Sequence, residues 1–237
     1  MKKQIPNIIT LLNLFSGCIA ITMAFQGNFK AVVIWVAVAA FFDFLDGAAA
    51  RLLNAWSEIG KELDSLADLV SFGVAPAAAV FILLRDYSLL PGFLEPVTLY
   101  IPYMAFIIPV FSAFRLATFN LDERQTTSFL GLPTPANALF WISYSFGLQN
   151  MVQTNANLLY FTIGFILILS LLMISKIPMF SLKIKSMRLK GNERQALLVV
   201  LMIIFVALWG IIGIAWGIIA YIAISILTPG KGRRIVK

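Results

Sequence analysis

Four aspartates carry the strongest chemical signal in this 237-residue chain. They stand as Asp43-x-x-Asp46-Gly47-x-x-Ala50-Arg51, followed by Gly60-x-x-x-Asp64-x-x-x-Asp68. A spacing of three (43, 46) and one of four (64, 68) put each pair on one face of a helix. Two such helices side by side would turn four carboxylates to a common point. The setting makes that arrangement expensive. The chain is 60% hydrophobic and 12% charged, and ionised groups near lipid persist only when they are compensated. A divalent cation is the obvious compensator, and hard oxygen ligands of this kind suit Mg²⁺ or Mn²⁺. One aspartate at a helix end is commonly a cap or a solvated charge. Capping does not call for four carboxylates at two helical spacings with two glycines and an arginine, all flanked by apolar runs.

The elements that must position these groups are membrane helices. A mean hydropathy of +0.92 lies far above that of water-soluble domains. Eight segments read as helical spans, at about 8–25, 29–53, 63–85, 98–119, 134–150, 157–175, 195–209 and 211–227. The expected fold is therefore an all-α integral membrane protein of about eight transmembrane helices: a six-helix catalytic core and a C-terminal hairpin. Residues 1–175 form the membrane core, 176–194 a basic connector, and 195–237 the hairpin and a basic tail. The fifth span and the last two are short. Gly210 and Gly213 leave two arrangements open for the last pair, a turn or one long kinked helix. The first segment contains Asn13 and Ser16 and lacks a small-x-small exit site, so it is not read as a cleavable signal.

Charge sets the expected orientation. Of 18 lysines and arginines, only Lys30 and Arg85 fall on one side of an eight-span arrangement. The others cluster before span one, between spans two and three, after spans four and six, and in the tail. Both termini and the aspartates are thereby expected in the cytoplasm, at the inner membrane of the cell. The net charge of +7 fits attraction to anionic lipid headgroups, at about 1 kcal/mol per basic residue near the surface. It requires no nucleic-acid partner. The single cysteine, Cys18, excludes an intrachain disulfide, and the absence of histidine excludes His-based catalysis and His metal ligands.

The pattern D-x-x-D-G-x-x-A-R-x8-G-x-x-x-D-x-x-x-D resembles the signature of the CDP-alcohol phosphatidyltransferases. All eight fixed positions match: Asp43, Asp46, Gly47, Ala50, Arg51, Gly60, Asp64 and Asp68. The resemblance implies that an alcohol hydroxyl attacks the lipid-side phosphorus of a CDP-linked lipid and CMP leaves. It implies that Asp43, Asp46 and Asp64 are metal ligands and that Asp68 is a ligand or the general base. Two ions about 4 Å apart would neutralise the pyrophosphate and align the attacking and leaving oxygens. Gly47 and Gly60 would admit the nucleotide, the other reading for each being tight helix packing. Ala50 belongs to the same CDP-lipid set. Arg51 would reach the phosphates, the other reading being a cytoplasmic anchor. Pro6-Asn7-Ile8-Ile9-Thr10 resembles the family's P-N-x-x-T opening, in which Asn7 and Thr10 would bond the cytidine or ribose-phosphate. Helix capping by Asn7 is the alternative.

Three stretches are similar to the phosphatidylserine synthase branch of that family. They are residues 6–20, Ser71–Pro76, and Phe114–Asn120 with Gly131–Ala136. Thr118 departs from that branch, which often carries Arg there. The branch implies CDP-diacylglycerol and L-serine as substrates, with Arg115 and Asn120 binding the acceptor. A membrane-embedded arginine is a functional candidate, and it would fork onto the serine carboxylate. Snorkelling to the interface is the competing account. The family also implies a homodimer. Two rivals stay open at this point. One is another acceptor, such as glycerol 3-phosphate, which demands a denser basic pocket. The other is a divalent-cation transporter, which places its site near mid-membrane.

Overall fold

A computed structural model describes residues 4–87, 97–121, 129–151, 155, 157–180 and 192–228. Most of the basic connector (181–191), the basic tail (229–237), and Lys2, Lys3 and Arg124, on which the orientation reading leaned, lie outside the described residues.

Helix α1, Gln4–Phe25, tolerates Pro6 because the first turn has no intrahelical donor to lose. Gly27, at φ +70°, closes the connection to α2, Phe29–Leu52, and the Asn28 side chain caps α2 by accepting from Ala31 N at 3.0 Å. The two helices pack along their length. Ala20 and Ala24 are fully buried beside Val32, Val36 and Ala39, because small side chains let membrane helices approach closely. A tight turn then leads into α3, Glu58–Asp68. Asn54 adopts φ 48° in this turn, a conformation that asparagine tolerates, and Ser57 Oγ accepts from Gly60 N at 3.0 Å. The helix begins five residues before the expected span because its first turns are polar and stand clear of the apolar run.

Helix α3 passes through a π turn, Leu69–Val74, into α4, Ala75–Arg85. The resulting rod, Glu58–Arg85, is the most buried of the apolar segments. Its alanines 77, 78 and 79 are buried against α1 and α6. A 3₁₀ turn, Ile101–Phe106, leads into α5, Ile107–Leu121, which packs on the π turn and on α7, Asn157–Ile174. Between these in the chain comes α6, Thr134–Leu148, which packs on α2, α4 and α9 with Trp141 and Phe140 fully buried. Two short strands, β1 at Phe129–Leu130 and β2 at Pro178–Met179, pair antiparallel and join the segment after α5 to the one after α7. Gly131, at φ +73°, lies against the carbonyls of Leu172 and Met173, where a Cβ has no room.

Helices α8, Glu193–Trp209, and α9, Gly213–Leu227, resolve the alternative left open at Gly210. That glycine takes φ +66°, and the chain folds back. Gly213 meets the Phe205 carbonyl and Gly217 meets the Met202 side chain, as in an antiparallel hairpin. The hairpin seats Ile212 on Gly147 of α6, and Tyr221 Oη donates to Phe180 O at 3.1 Å. Six segments are long and apolar enough to cross a membrane: Gln4–Phe25, Phe29–Leu52, Glu58–Arg85, Ile101–Leu121, Asn157–Ile174 and Glu193–Leu227. The last of them contains both arms of the hairpin. At 15 residues, α6 is shorter than these. The protein is an all-α membrane protein with eight helical rods among the described residues.

Candidate active site

The start of α1, the end of α2, the start of α3 and the end of α5 meet at one face of the bundle, around a cleft of about 600 Å³. Asp46 and Asp64 lie on its walls. Asp43, Asp64 and Asp68 each offer a carboxylate oxygen within 4.8 Å of the others. The i,i+4 spacing within α3 and the crossing of α2 bring these three together. Asp46 stands within electrostatic reach of Asp43 and Asp64, and its Oδ2 accepts from Thr10 Oγ1 at 2.6 Å.

The donor set fits a divalent cation. None of the four aspartates forms an ion pair among the described residues, and the Oδ1 of Asp64 is buried with no hydrogen-bond partner. Three close carboxylates without a cation repel one another, and a buried unpaired carboxylate oxygen is costly. An ion of the Mg²⁺ or Mn²⁺ type removes both penalties.

The nucleotide residues expected from the motif divide by location. Asn7, Thr10, Gly47, Ala50 and Gly60 all line the cleft. Asn7 lies inside α1, one turn past Gln4, so it is not that helix's N-cap. The Thr10 hydroxyl is engaged by Asp46 and by Pro6 O, so it orients a carboxylate. A Cβ on Gly47 would meet only Arg51 Nη1, at 3.6 Å, and the cleft beside it is open. Gly60 differs. A Cβ there would stand 2.9 Å from Ser57 Oγ and 3.0 Å from Asn7 Oδ1, so this glycine lets α1 and α3 close together. Arg51 is exposed beside Gly47, at the edge of the cleft.

Arg115 and Asn120 do not come together. Asn120 lies on the cleft rim. Its Nδ2 donates to Ser65 Oγ at 2.8 Å, and its carbonyl accepts from Lys61 Nζ at 2.7 Å. Arg115 points to a different side of α5, where Nη1 donates to the buried Thr134 Oγ1 at 3.1 Å. Its Nε is buried without a hydrogen-bond partner among the described residues. The guanidinium lies over the Phe119 ring at 5.9 Å, and that ring lines the cleft. Asp68 is within electrostatic reach of Arg115. Thr118 is exposed and donates to Phe114 O at 2.8 Å.

Some residues of the site fall outside the motif. Lys61 is the basic residue lining the cleft, and Trp56 and Phe119 supply its aromatic walls. Lys61 directly follows the motif's Gly60, but spacing alone gives it no partner. Asn13 donates from Nδ2 to Asp68 Oδ1 at 3.3 Å. The helical signal for it is plain: it stands three residues after Thr10, on the same face of α1.

Similarity to known proteins agrees with this geometry. Residues 3–174 match the model of the CDP-alcohol phosphatidyltransferase family, leaving α8 and α9 beyond the match. The chain is similar to a Bacillus subtilis protein named CDP-diacylglycerol–serine O-phosphatidyltransferase, at 36% identity over 61% of this chain and 76% of that one. Proteins of the same name from Mycobacterium leprae and Helicobacter pylori are 35% and 32% identical. They are aligned over 74% and 86% of this chain, and over 57% and 80% of their own lengths. With Asp43, Asp64 and Asp68 clustered beside a cleft that Asp46 and Asp64 line, and with the family model matched over most of its length, the chain belongs to the CDP-alcohol phosphatidyltransferase family.

Proposed function

We propose that the enzyme transfers a phosphatidyl group from CDP-diacylglycerol to the hydroxyl of L-serine, giving phosphatidylserine and CMP. The observation that carries serine is the state of Arg115. One arm of its guanidinium is bonded to Thr134, its Nε has no hydrogen-bond partner among the described residues, and Asp68 is within electrostatic reach. A half-buried, half-paired guanidinium suits a planar carboxylate. An amino acid held there would turn its hydroxyl toward Asp68. The names of the similar proteins support the same acceptor.

In this reading Asp43, Asp46, Asp64 and Asp68 would hold two Mg²⁺ or Mn²⁺ ions, whose charge would offset that of the pyrophosphate and of the transition state. The chain's own groups do the rest. Asn7, Gly47, Ala50 and Gly60 form the wall that receives the CDP moiety, and Arg51 and Lys61 face its phosphates from the rim. Asp68 accepts the proton of the serine hydroxyl as its oxygen bonds to phosphorus. The bond from phosphorus to the CMP oxygen breaks, and the proton remains on the carboxylate until it passes to solvent.

A phosphorylated acceptor such as glycerol 3-phosphate is supported less well. Lys61 alone among the described lining residues is basic, whereas a second phosphate needs several cations. A transporter reading is also weaker, because the cleft opens at helix ends rather than at mid-span. The proposal extends to the setting: an inner-membrane enzyme with both termini and the cleft in the cytoplasm, drawn to anionic lipids and paired as a homodimer. Residues 1–175 form the catalytic core, 176–194 the basic connector, and 195–237 the hairpin and tail. Purified enzyme with CDP-diacylglycerol and a panel of alcohols, scored for CMP release and lipid product, tests the reading. Turnover with glycerol 3-phosphate and none with serine would overturn it. Metal flux in vesicles without CDP-lipid turnover would favour the transporter.

A further inference from the structure

We infer that Asn13 is a positioning residue, whose side-chain amide holds the Asp68 carboxylate in the orientation the reaction uses. Asn13 is fully buried in α1, one turn deeper than Thr10. Its Nδ2 donates to Asp68 Oδ1 at 3.3 Å, and it is the hydrogen-bond donor that Asp68 has among the described residues. The backbone around the amide is fixed as well. Asn13 O accepts from Ser71 Oγ at 3.0 Å. Ser71 is fully buried in the π turn immediately after Asp68, where it packs on Gly17 of α1. The rod that carries Asp68 therefore grips the residue that orients Asp68. A π turn interrupting an α-helix is frequently found at a functional site.

The other half of the amide argues against a packing role. Asn13 Oδ1 is buried and has no hydrogen-bond partner among the described residues, which costs stability that an apolar side chain of similar volume would not. Helix α1 thus supplies one donor to each carboxylate pair, Thr10 to Asp46 and Asn13 to Asp68. The two donors are three residues apart, so a single helical face serves both.

This inference rests on the reading of Asp68 as the proton acceptor, and the test separates the two. Asn13→Leu, Asn13→Ala, Asp68→Asn and the Asn13→Leu/Asp68→Asn double variant are purified in detergent with Mg²⁺. CMP release is measured with each substrate varied in turn, and thermal midpoints are taken alongside. Asn13→Leu is expected to lower kcat roughly ten- to hundredfold, the loss of one hydrogen bond to a charged group. The apparent KM for CDP-diacylglycerol stays unchanged, and the thermal midpoint is unchanged or raised. The double variant is expected to be no slower than Asp68→Asn alone, because both substitutions remove one function. A wild-type kcat in Asn13→Leu, a rise confined to the KM for CDP-diacylglycerol, or losses that multiply in the double variant would each overturn the positioning role. So would loss of folding in both Asn13→Leu and Asn13→Ala, which marks a packing residue. A wild-type rate in Asp68→Asn would instead remove the proton-acceptor reading, whatever Asn13 does.

Discussion

Thr10 and Asp46 share a buried hydrogen bond of 2.6 Å, which ties α1 to α2 across 36 positions of sequence. Asp46 is 6% exposed, and this hydroxyl orients its carboxylate together with the Gly47 backbone N–H. Thr10→Val keeps the shape and removes the donor. The expected outcome is a loss of about 1–3 kcal/mol in stability, from the buried oxygen left unpaired, together with reduced turnover. Thr10→Ser restores both. Thermal midpoints and CMP release in the two variants check this; equal behaviour of Val and Ser would show the hydroxyl to be idle.

Asp43→Ala, Asp46→Ala and Asp64→Ala are each expected to abolish turnover at saturating Mg²⁺ or Mn²⁺. Asp43 and Asp64 belong to the carboxylate cluster, and Asp46 stands within electrostatic reach of both. Excess EDTA stops the unmutated enzyme. Full CMP release in EDTA would end the metal mechanism, and a wild-type rate in any variant would end that residue's assignment.

Asp68→Asn keeps the side chain's shape and cannot accept a proton. It is expected to retain CDP-lipid binding while turnover falls about 10²- to 10⁴-fold. Equilibrium binding of the CDP-lipid, measured beside the rate, decides the matter. If binding and turnover vanish together, Asp68 acts chiefly as a ligand.

Arg115→Lys keeps the charge and loses the fork. The apparent KM for serine is expected to rise roughly ten- to hundredfold, as for the loss of a charge-assisted hydrogen bond of about 1.5–3 kcal/mol. The KM for CDP-diacylglycerol is nearly unchanged. Snorkelling predicts altered expression with normal kinetics, so an unchanged serine KM would take Arg115 out of the site.

Gly60→Ala sets two effects against each other. Alanine gains about 1 kcal/mol of helix propensity over glycine. Its Cβ presses on Ser57 Oγ at 2.9 Å and Asn7 Oδ1 at 3.0 Å, and overpacking of this kind costs about 1–3 kcal/mol. Stability therefore changes little, while Asn7 is pushed from its place on the cleft wall. A higher KM for CDP-diacylglycerol with a near-normal thermal midpoint is the expected result. A normal KM would detach Asn7 from the nucleotide.

The sequence alone determined the membrane setting, the helical character and the aspartate cluster. Those properties are local. Long apolar runs cannot stay in water, and carboxylates three or four apart on a helix must share a face. The eight-position motif needed nothing beyond linear order. Tertiary structure decided everything that depends on which helix faces which. Asn13 and Thr10 are ordinary polar residues of an apolar helix until α1 is laid against α2 and α3, when they become donors to Asp68 and Asp46. Gly60 proved to be a contact between α1 and α3, which no spacing reveals. Arg115 and Asn120 read as one acceptor pair because they lie in one short stretch. Five residues of helix turn the second about 140° away from the first. Asn120 therefore joins α3 at the cleft rim, and Arg115 joins Thr134 on α6. The turn at Gly210 was open for a related reason: glycine permits both a kink and a reversal, and only the fit of Gly213 and Gly217 against α8 selects the hairpin.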